Sequence, residues 1–352
     1  TSGTVTAEVK LSDPATIADA TTLAGRGVSY NLSDAGTTIS GDTTTMNGAV
    51  NITATGTVTV DQLQVLAGAT NSGTTTVAAV ADSAAEIATA TDAQLNLVSG
   101  TVTANSNATA TQAGVLGGFA KDVVFSVNTD EVELAGKSAG LSDAVNIAIT
   151  KTTNPLTTAQ AATVMGATNS GTTTLAEVSG TVSQLLALSV GSNDTITTLV
   201  ATDAATADEG VNLVALDTAA STTTLTYNLT DTAANISATS LNLGTAATVT
   251  ATTSVLTAAQ AAALEVLKAA GTIDTLAYTV SSTADLLIAQ GAAAFTNATS
   301  ITVTDATTVA KIANLNDTNA SHTGDIDLAD MVYSLSDAGT TISGDTTTMN
   351  GA

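Results

Sequence analysis

The sequence predicts a β-rich parallel solenoid with short helices, its coils of about 25 residues paired into repeats of about 50. Three observations carry that expectation. The run LSDAGTTISGDTTTMNGA occurs twice without a change, as Leu32 to Ala49 and as Leu335 to Ala352. Apolar residues alternate around a central aromatic at five places, and Thr-x-x-Gln signatures open Ala-rich stretches between them. Residues 1–352 therefore read as one continuous segment of a longer array, with a super-repeat over 32–334 that restarts at 335 and is expected to continue.

The strands come first. Val28-x-Tyr30-x-Leu32, Val123-x-Phe125-x-Val127, Leu225-x-Tyr227-x-Leu229, Leu276-x-Tyr278-x-Val280 and Met331-x-Tyr333-x-Leu335 place apolar side chains at every second position. That period lines one face of a β-strand. Degenerate copies fit at Ala78 and Ala176. Further strands are expected in 50–60, 145–150, 248–252 and 300–304, which are rich in Val, Ile and Thr.

Helix starts follow. Ser33-Asp34, Asn128-Thr129-Asp130, Thr230-Asp231, Ser281-Ser282 and Ser336-Asp337 carry side-chain oxygens suited to the first amides of a short helix. A second series, Thr59 with Gln62, Thr157 with Gln160 and Thr257 with Gln260, opens Ala- and Leu-rich helical stretches. GATNSGTTT closes two of these, at 68–76 and 166–174; its Asn-Ser-Gly reads as a helix stop and a turn, because Gly tolerates positive φ. Pro14 and Pro155 stand near helix openings, where a missing amide costs little.

Composition narrows the function. Hydrophobic residues make up 44%, nearly all small aliphatics, with 3 Phe, 4 Tyr and no Trp, so any core is thin. Asp+Glu number 31 against Lys+Arg 7, a net charge of −24. Nucleic acid is excluded as a partner by repulsion, and anionic membrane surfaces are disfavoured. Cys is absent, which rules out disulfides and thiolate metal sites and fits a secreted chain. The longest apolar stretch, 256–270, is interrupted by Gln260, Glu265 and Lys268, so no segment is expected to span a membrane. Thr1 opens no signal peptide, and the chain is expected to be a processed or excerpted part of a larger protein.

The strand-and-cap pattern, clearest in Tyr227-Asn-Leu-Thr-Asp231-Thr-Ala-Ala-Asn-Ile236, together with the Thr-x-x-Gln-Ala helix starts, resembles the β-strand-repeat segments of giant secreted surface proteins of Gram-negative bacteria and cyanobacteria. Those include RTX-type adhesins and S-layer-like proteins. The resemblance covers nearly the whole chain and implies type I export, a cell-surface or extracellular place, and calcium somewhere in the parent molecule. The calcium-loading glycine-aspartate nonapeptide of RTX β-rolls is missing; Gly191-Ser-Asn-Asp194-Thr-Ile196 is the nearest approach.

Candidate sites are few. Asp325, Asp327 and Asp330 place three carboxylates within six residues, an oxygen set able to hold calcium. Their other reading is a solvated turn with a helix cap. Asp34, Asp42, Asp231, Asp337 and Asp345 recur at repeat positions as N-caps. Gly136-Lys-Ser138-Ala-Gly140 matches the serine-hydrolase elbow, but His322, the single His, sits in a polar loop, and Glu131 stands where a phosphate loop needs Gly. The sequence therefore points to a non-catalytic component of an extracellular surface layer, stalk or filament, pairing with flanking repeats or copies of itself. The alternative is a calcium-dependent adhesin rod holding a surface or glycan ligand.

Overall fold

The computed structural model describes residues 11, 13–238, 246–252, 255–269, 276, 278–319, 331–338 and 341. Among these the chain is an α/β protein, with three parallel sheets and fifteen α-helices, and this overturns the β-rich solenoid that the repeats predict. The physical reason lies in the Ala-rich segments. Ala, Leu and Gln favour the helix, and capped starts let those segments propagate into helices of up to 13 residues where a solenoid coil needs only a turn. The strands also fall into three separate sheets, one division lying between Val124 and Val127 beside the buried Phe125 and the other between Thr252 and Val255.

Two compact units divide the chain, 1–176 with 191–195, and 177–190 with 196–352. The first holds α1 (Ile17–Ala24), β1 (Leu32–Ala35), α2 (Gly36–Gly41), α3 (Thr43–Asn47), β2 (Ile52–Val58), α4 (Val60–Ala67), β3 (Thr75–Asp82), α5 (Ala84–Ile87), α6 (Asp92–Leu95), β4 (Val102–Ala104), α7 (Ala110–Leu116) and β5 (Val123–Val124). These five strands form one sheet in chain order. The unit continues through β6 (Val127–Asp130), α8 (Glu131–Leu134), β7 (Ile147–Thr150), β8 (Leu156–Thr157), α9 (Thr158–Met165) and the start of β9 (Thr173–Gly180).

The second unit holds α10 (Val182–Leu186), β10 (Asp194–Ala205), α11 (Ala207–Ala219), β11 (Thr224–Thr232), α12 (Ala233–Ala238) and β12 (Ala246–Thr252). It goes on with β13 (Val255–Leu256), α13 (Ala258–Ala269), β14 (Tyr278–Ser282), α14 (Ala284–Gln290), β15 (Ala298–Thr307), α15 (Val309–Asn319) and β16 (Met331–Leu335). β10 pairs β11 and β11 pairs β12, while β13 to β16 form a four-stranded sheet in chain order. The connecting strands expected near 50, 145, 248 and 300 correspond to β2, β7, β12 and β15.

Register follows the apolar pattern. Leu32 pairs Ile52 between β1 and β2, and Ala54 pairs Val77 and Val58 pairs Val80 between β2 and β3, so buried positions meet across both ladders. Strict alternation holds in β11, where Leu225, Tyr227 and Leu229 are buried, but not in β3, where Val77 and Val80 are. Between β2 and β3 the ladder slips from Ala54 to Thr57, and Gly56 there takes a φ of +71, which a residue with Cβ rarely adopts. Tyr30 and Phe125 fall just outside the strands yet are buried, so the aromatic positions mark the core even where the ladder does not reach.

Helices cover the sheets through small apolar stripes. In α4 Val60, Leu63 and Leu66 are buried, one face of a two-turn helix set against β3 and α2. Fully burying each such Leu or Val contributes about 1.5–3 kcal/mol. Gly36 is needed at the α2–β2 crossing, because a Cβ there would run into the Val58 side chain.

Candidate functional site

The feature that recurs through the described residues is the way helix starts are tied down. Each helix leaves its first amides without partners inside the helix. In α4, α6, α7, α9, α10 and α11 a capping box handles two of them: the N-cap Thr accepts from the third helical amide, and the Gln or Glu there accepts from the N-cap amide. At α4 the two distances are 3.3 and 3.0 Å. Thr257 and Gln260 make the same exchange at α13. The Thr-x-x-Gln series is thus a set of capping boxes, with Thr91, Thr109 and Thr181 as further members and Thr206 with Glu209 as the glutamate counterpart.

The first helical amide is met from elsewhere. Val60 N–H donates to Asp82 Oδ2 at 3.0 Å, while Asp82 Oδ1 takes the Ser83 amide at 2.8 Å. The same bond joins Ile17 to Asp34, Val182 to Asp203, Ala207 to Asp231, Ala284 to Asp305 and Val309 to Asp337, at 2.7 to 3.3 Å. Ser106 does this for Ala84 at 3.0 Å. In the aspartate cases a carboxylate in the last part of one strand or just past it caps a helix that comes before that strand, while Ser106, past β4, serves α5, with α6 lying between. A negative charge there also meets the positive end of the helix dipole.

This changes the role assigned to the repeated aspartates. Asp34 and Asp337 cap the preceding helix, and α2 after Asp34 has Ala35 at its N-cap with no side-chain bond. Asp42 and Asp130 do cap their own helices, α3 and α8. Burial pushes the Asp231 carboxyl up, but the Ala207 and Thr232 amides and the Asn235 side chain outweigh it and hold the group below its usual range. The Thr45 amide and hydroxyl hold Asp42 low as well. Asp345 lies outside the described residues.

A second tie runs along the strand starts. Asn31 Oδ1 accepts the Asn51 side-chain amide at 2.9 Å, and Asn51 Oδ1 accepts the Thr74 amide at 2.8 Å. Asn146 and Thr172 repeat the latter bond at 2.9 Å. The second glycine of each GATNSGTTT run closes these ties, as Gly73 N–H donates to Val50 O at 2.8 Å and Gly171 N–H to Val145 O at 2.7 Å. Neither has positive φ. Close approach is what requires glycine, since a Cβ would strike the Asn51 or Asn146 side chain.

Two buried acids make bonds that the sequence does not announce. Glu131, 5% exposed, accepts the amides of Asn154, Thr152 and Thr153 at 2.9, 2.8 and 2.7 Å. Those amides, Asn154 first, hold its carboxyl down to about 2. Glu265 accepts the Tyr278 hydroxyl at 2.6 Å, the Asn297 amide at 2.8 Å and the Asn297 side chain at 2.7 Å. Burial, then the Glu265 carboxylate, pushes the Tyr278 phenol up. A dense hydrogen-bond set of this kind holds a loop in place.

Asp325, Asp327 and Asp330, and likewise His322, lie outside the described residues. Among the described residues no group of three or more His, Cys, Asp or Glu is placed to hold a metal. The Gly136–Gly140 motif follows helix α8, with Gly136 and Gly140 at φ of +73 and +78, and so lacks the strand-turn-helix of a nucleophile elbow. A shallow pocket of about 160 Å³ is lined by Leu116, Phe119, Lys121, Asp122, Val123 and Asp143. Sites for small ligands typically begin at about 300 Å³. No helix among the described residues is long and apolar enough to cross a membrane. No family model and no curated protein matches the chain.

Proposed function

We propose that this chain is a non-catalytic structural segment of an extracellular surface layer, stalk or filament assembled from strand-and-helix repeats. The observation that carries the reading is the recurrent bond from a helix's first amide to an aspartate of the next strand, made by Asp34, Asp82, Asp203, Asp231, Asp305 and Asp337. These acids act as scaffold joints. The identical run at 32–49 and 335–352 carries one such joint in each copy, Asp34 and Asp337. The net charge of −24 and the absence of Cys fit an exposed place outside the cell, and the resemblance to secreted surface-protein repeats supports the same reading.

Immunogold labelling of intact source cells with antibody against this chain tests it. Regular decoration of the cell surface or of surface filaments is expected, and label confined to the cell interior contradicts it. Thermal unfolding with and without EDTA separates this reading from a calcium-dependent adhesin: the structural segment keeps its Tm in chelator, and the adhesin does not.

A further inference from the structure

We propose that the outer edge of β16 is a docking edge for a strand–helix unit with the sequence of Val50–Ala67, the unit that β1 takes inside this chain. The inference rests on the structural reading above and names the partner that such a repeat segment would take at this edge.

The two copies of the duplicated segment begin on the same bonds. In the first, Ser33 N–H donates to Ala15 O at 2.9 Å, Ile17 N–H to Asp34 Oδ2 at 3.0 Å, and Ala35 N–H to Asp34 Oδ1 at 2.7 Å. In the second, Ser336 N–H donates to Thr307 O at 2.8 Å, Val309 N–H to Asp337 Oδ2 at 3.3 Å, and Ala338 N–H to Asp337 Oδ1 at 2.8 Å. The described start of the second copy therefore sits on its predecessor in the register of the first.

The far side of the first copy is covered by β2. Leu32 N–H donates to Asn51 O at 2.8 Å, and Leu32 to Ala35 pair with Ile52 to Thr55. Backbone groups of a strand point alternately to its two sides. Since Ser336 N–H goes to β15, the Leu335 N–H faces outward, as Leu32 N–H faces β2. β16 ends its sheet among the described residues, and its sequence, Met331-Val-Tyr-Ser-Leu335, contains neither Lys nor Pro, residues that commonly blunt an outer strand. Val332 on it is 63% exposed. Ahead of the identical run, Met331, Val332 and Ser334 stand where the first copy has Val28, Ser29 and Asn31; since Asn31 accepts the Asn51 side chain, that side-chain bond is the part of the first interface least well reproduced.

The test is a fluorescently labelled peptide of residues 50–67 titrated against the full chain, with a peptide of residues 74–88, the next strand–helix unit, as comparison. Saturable binding with Kd below about 1 mM is expected, and about tenfold weaker binding of the comparison peptide. Amide exchange by NMR locates it: Leu335 becomes protected when the peptide is added, and Ser336, already bonded to Thr307, is unchanged. Leu335→Pro removes the outward donor and is expected to abolish binding while the far-UV spectrum is kept. Absence of saturable binding, equal binding of both peptides, or an unprotected Leu335 amide at saturation overturns the proposal. Surface labelling of cells is unaffected by any of these results, so the structural reading stands or falls separately.

Discussion

Asp82 Oδ2 lies 3.0 Å from the amide of Val60, a residue 22 positions earlier in the chain and the first of helix α4. One carboxylate thereby joins the end of β3 to the start of the helix before it. Its other oxygen takes Ser83 N–H, which fixes the side chain toward that helix. The same two-handed arrangement is made by Asp34, Asp231 and Asp337.

Asp231→Ala removes acceptors for Ala207, Thr232 and Asn235 together. Unfolding by urea is expected to show a loss of about 1–3 kcal/mol. Asp231→Asn retains one carbonyl acceptor and loses less. Equal stability of the alanine variant and the parent chain would mean that water replaces the carboxylate without cost.

Much of this was legible in the residues. Thr59, Thr157 and Thr257 three places before a Gln announce their capping boxes, and the buried tyrosines mark the core. The aspartate ties were not legible, because each joins residues 17 to 28 positions apart through a register that local pattern does not fix. The solenoid expectation failed for a related reason: periodic strands set the sheet direction, but how far each Ala-rich stretch propagates as helix is decided by its caps and packing.

Acid unfolding reports on Glu131. Its carboxyl is near 2 in the folded chain and near 4.5 when free, so its bonds stabilise the fold fully above about pH 5 and lose that effect as the pH falls from there through 2. The difference in unfolding free energy between the parent and Glu131→Gln is expected to be constant at neutral pH and to shrink across that acid window. A difference that grows on acidification contradicts the amide cradle of Thr152, Thr153 and Asn154.

Tyr278→Phe leaves the buried Glu265 carboxylate with the Asn297 bonds alone. A loss of about 1–3 kcal/mol is expected. A double-mutant cycle with Asn297→Ala is expected to give a coupling of at least about 0.5 kcal/mol, because both groups serve one acid. Strict additivity in urea denaturation contradicts a shared network.

Two glycine substitutions are expected to act in opposite directions. Gly73→Ala forces a Cβ against Asn51 and to 2.7 Å from Val50 O, and overpacking of this kind costs about 1–3 kcal/mol. Gly41→Ala, at the end of α2 with nothing within 4 Å of a new Cβ, is expected to be neutral or to stabilise by up to about 1 kcal/mol. Midpoints of thermal unfolding for the two variants check this.

Native-state amide exchange at Val60 tests most directly whether helix starts are held by carboxylates of the following strand. First-turn amides without partners exchange freely, so the Val60 amide is expected to be as protected as its bonded neighbour Leu63 in the parent chain, and to lose that protection selectively in Asp82→Ala while Leu63 keeps its own. An unprotected Val60 amide in the parent, or one unmoved by the substitution, would show that these carboxylates do not tie the fold together.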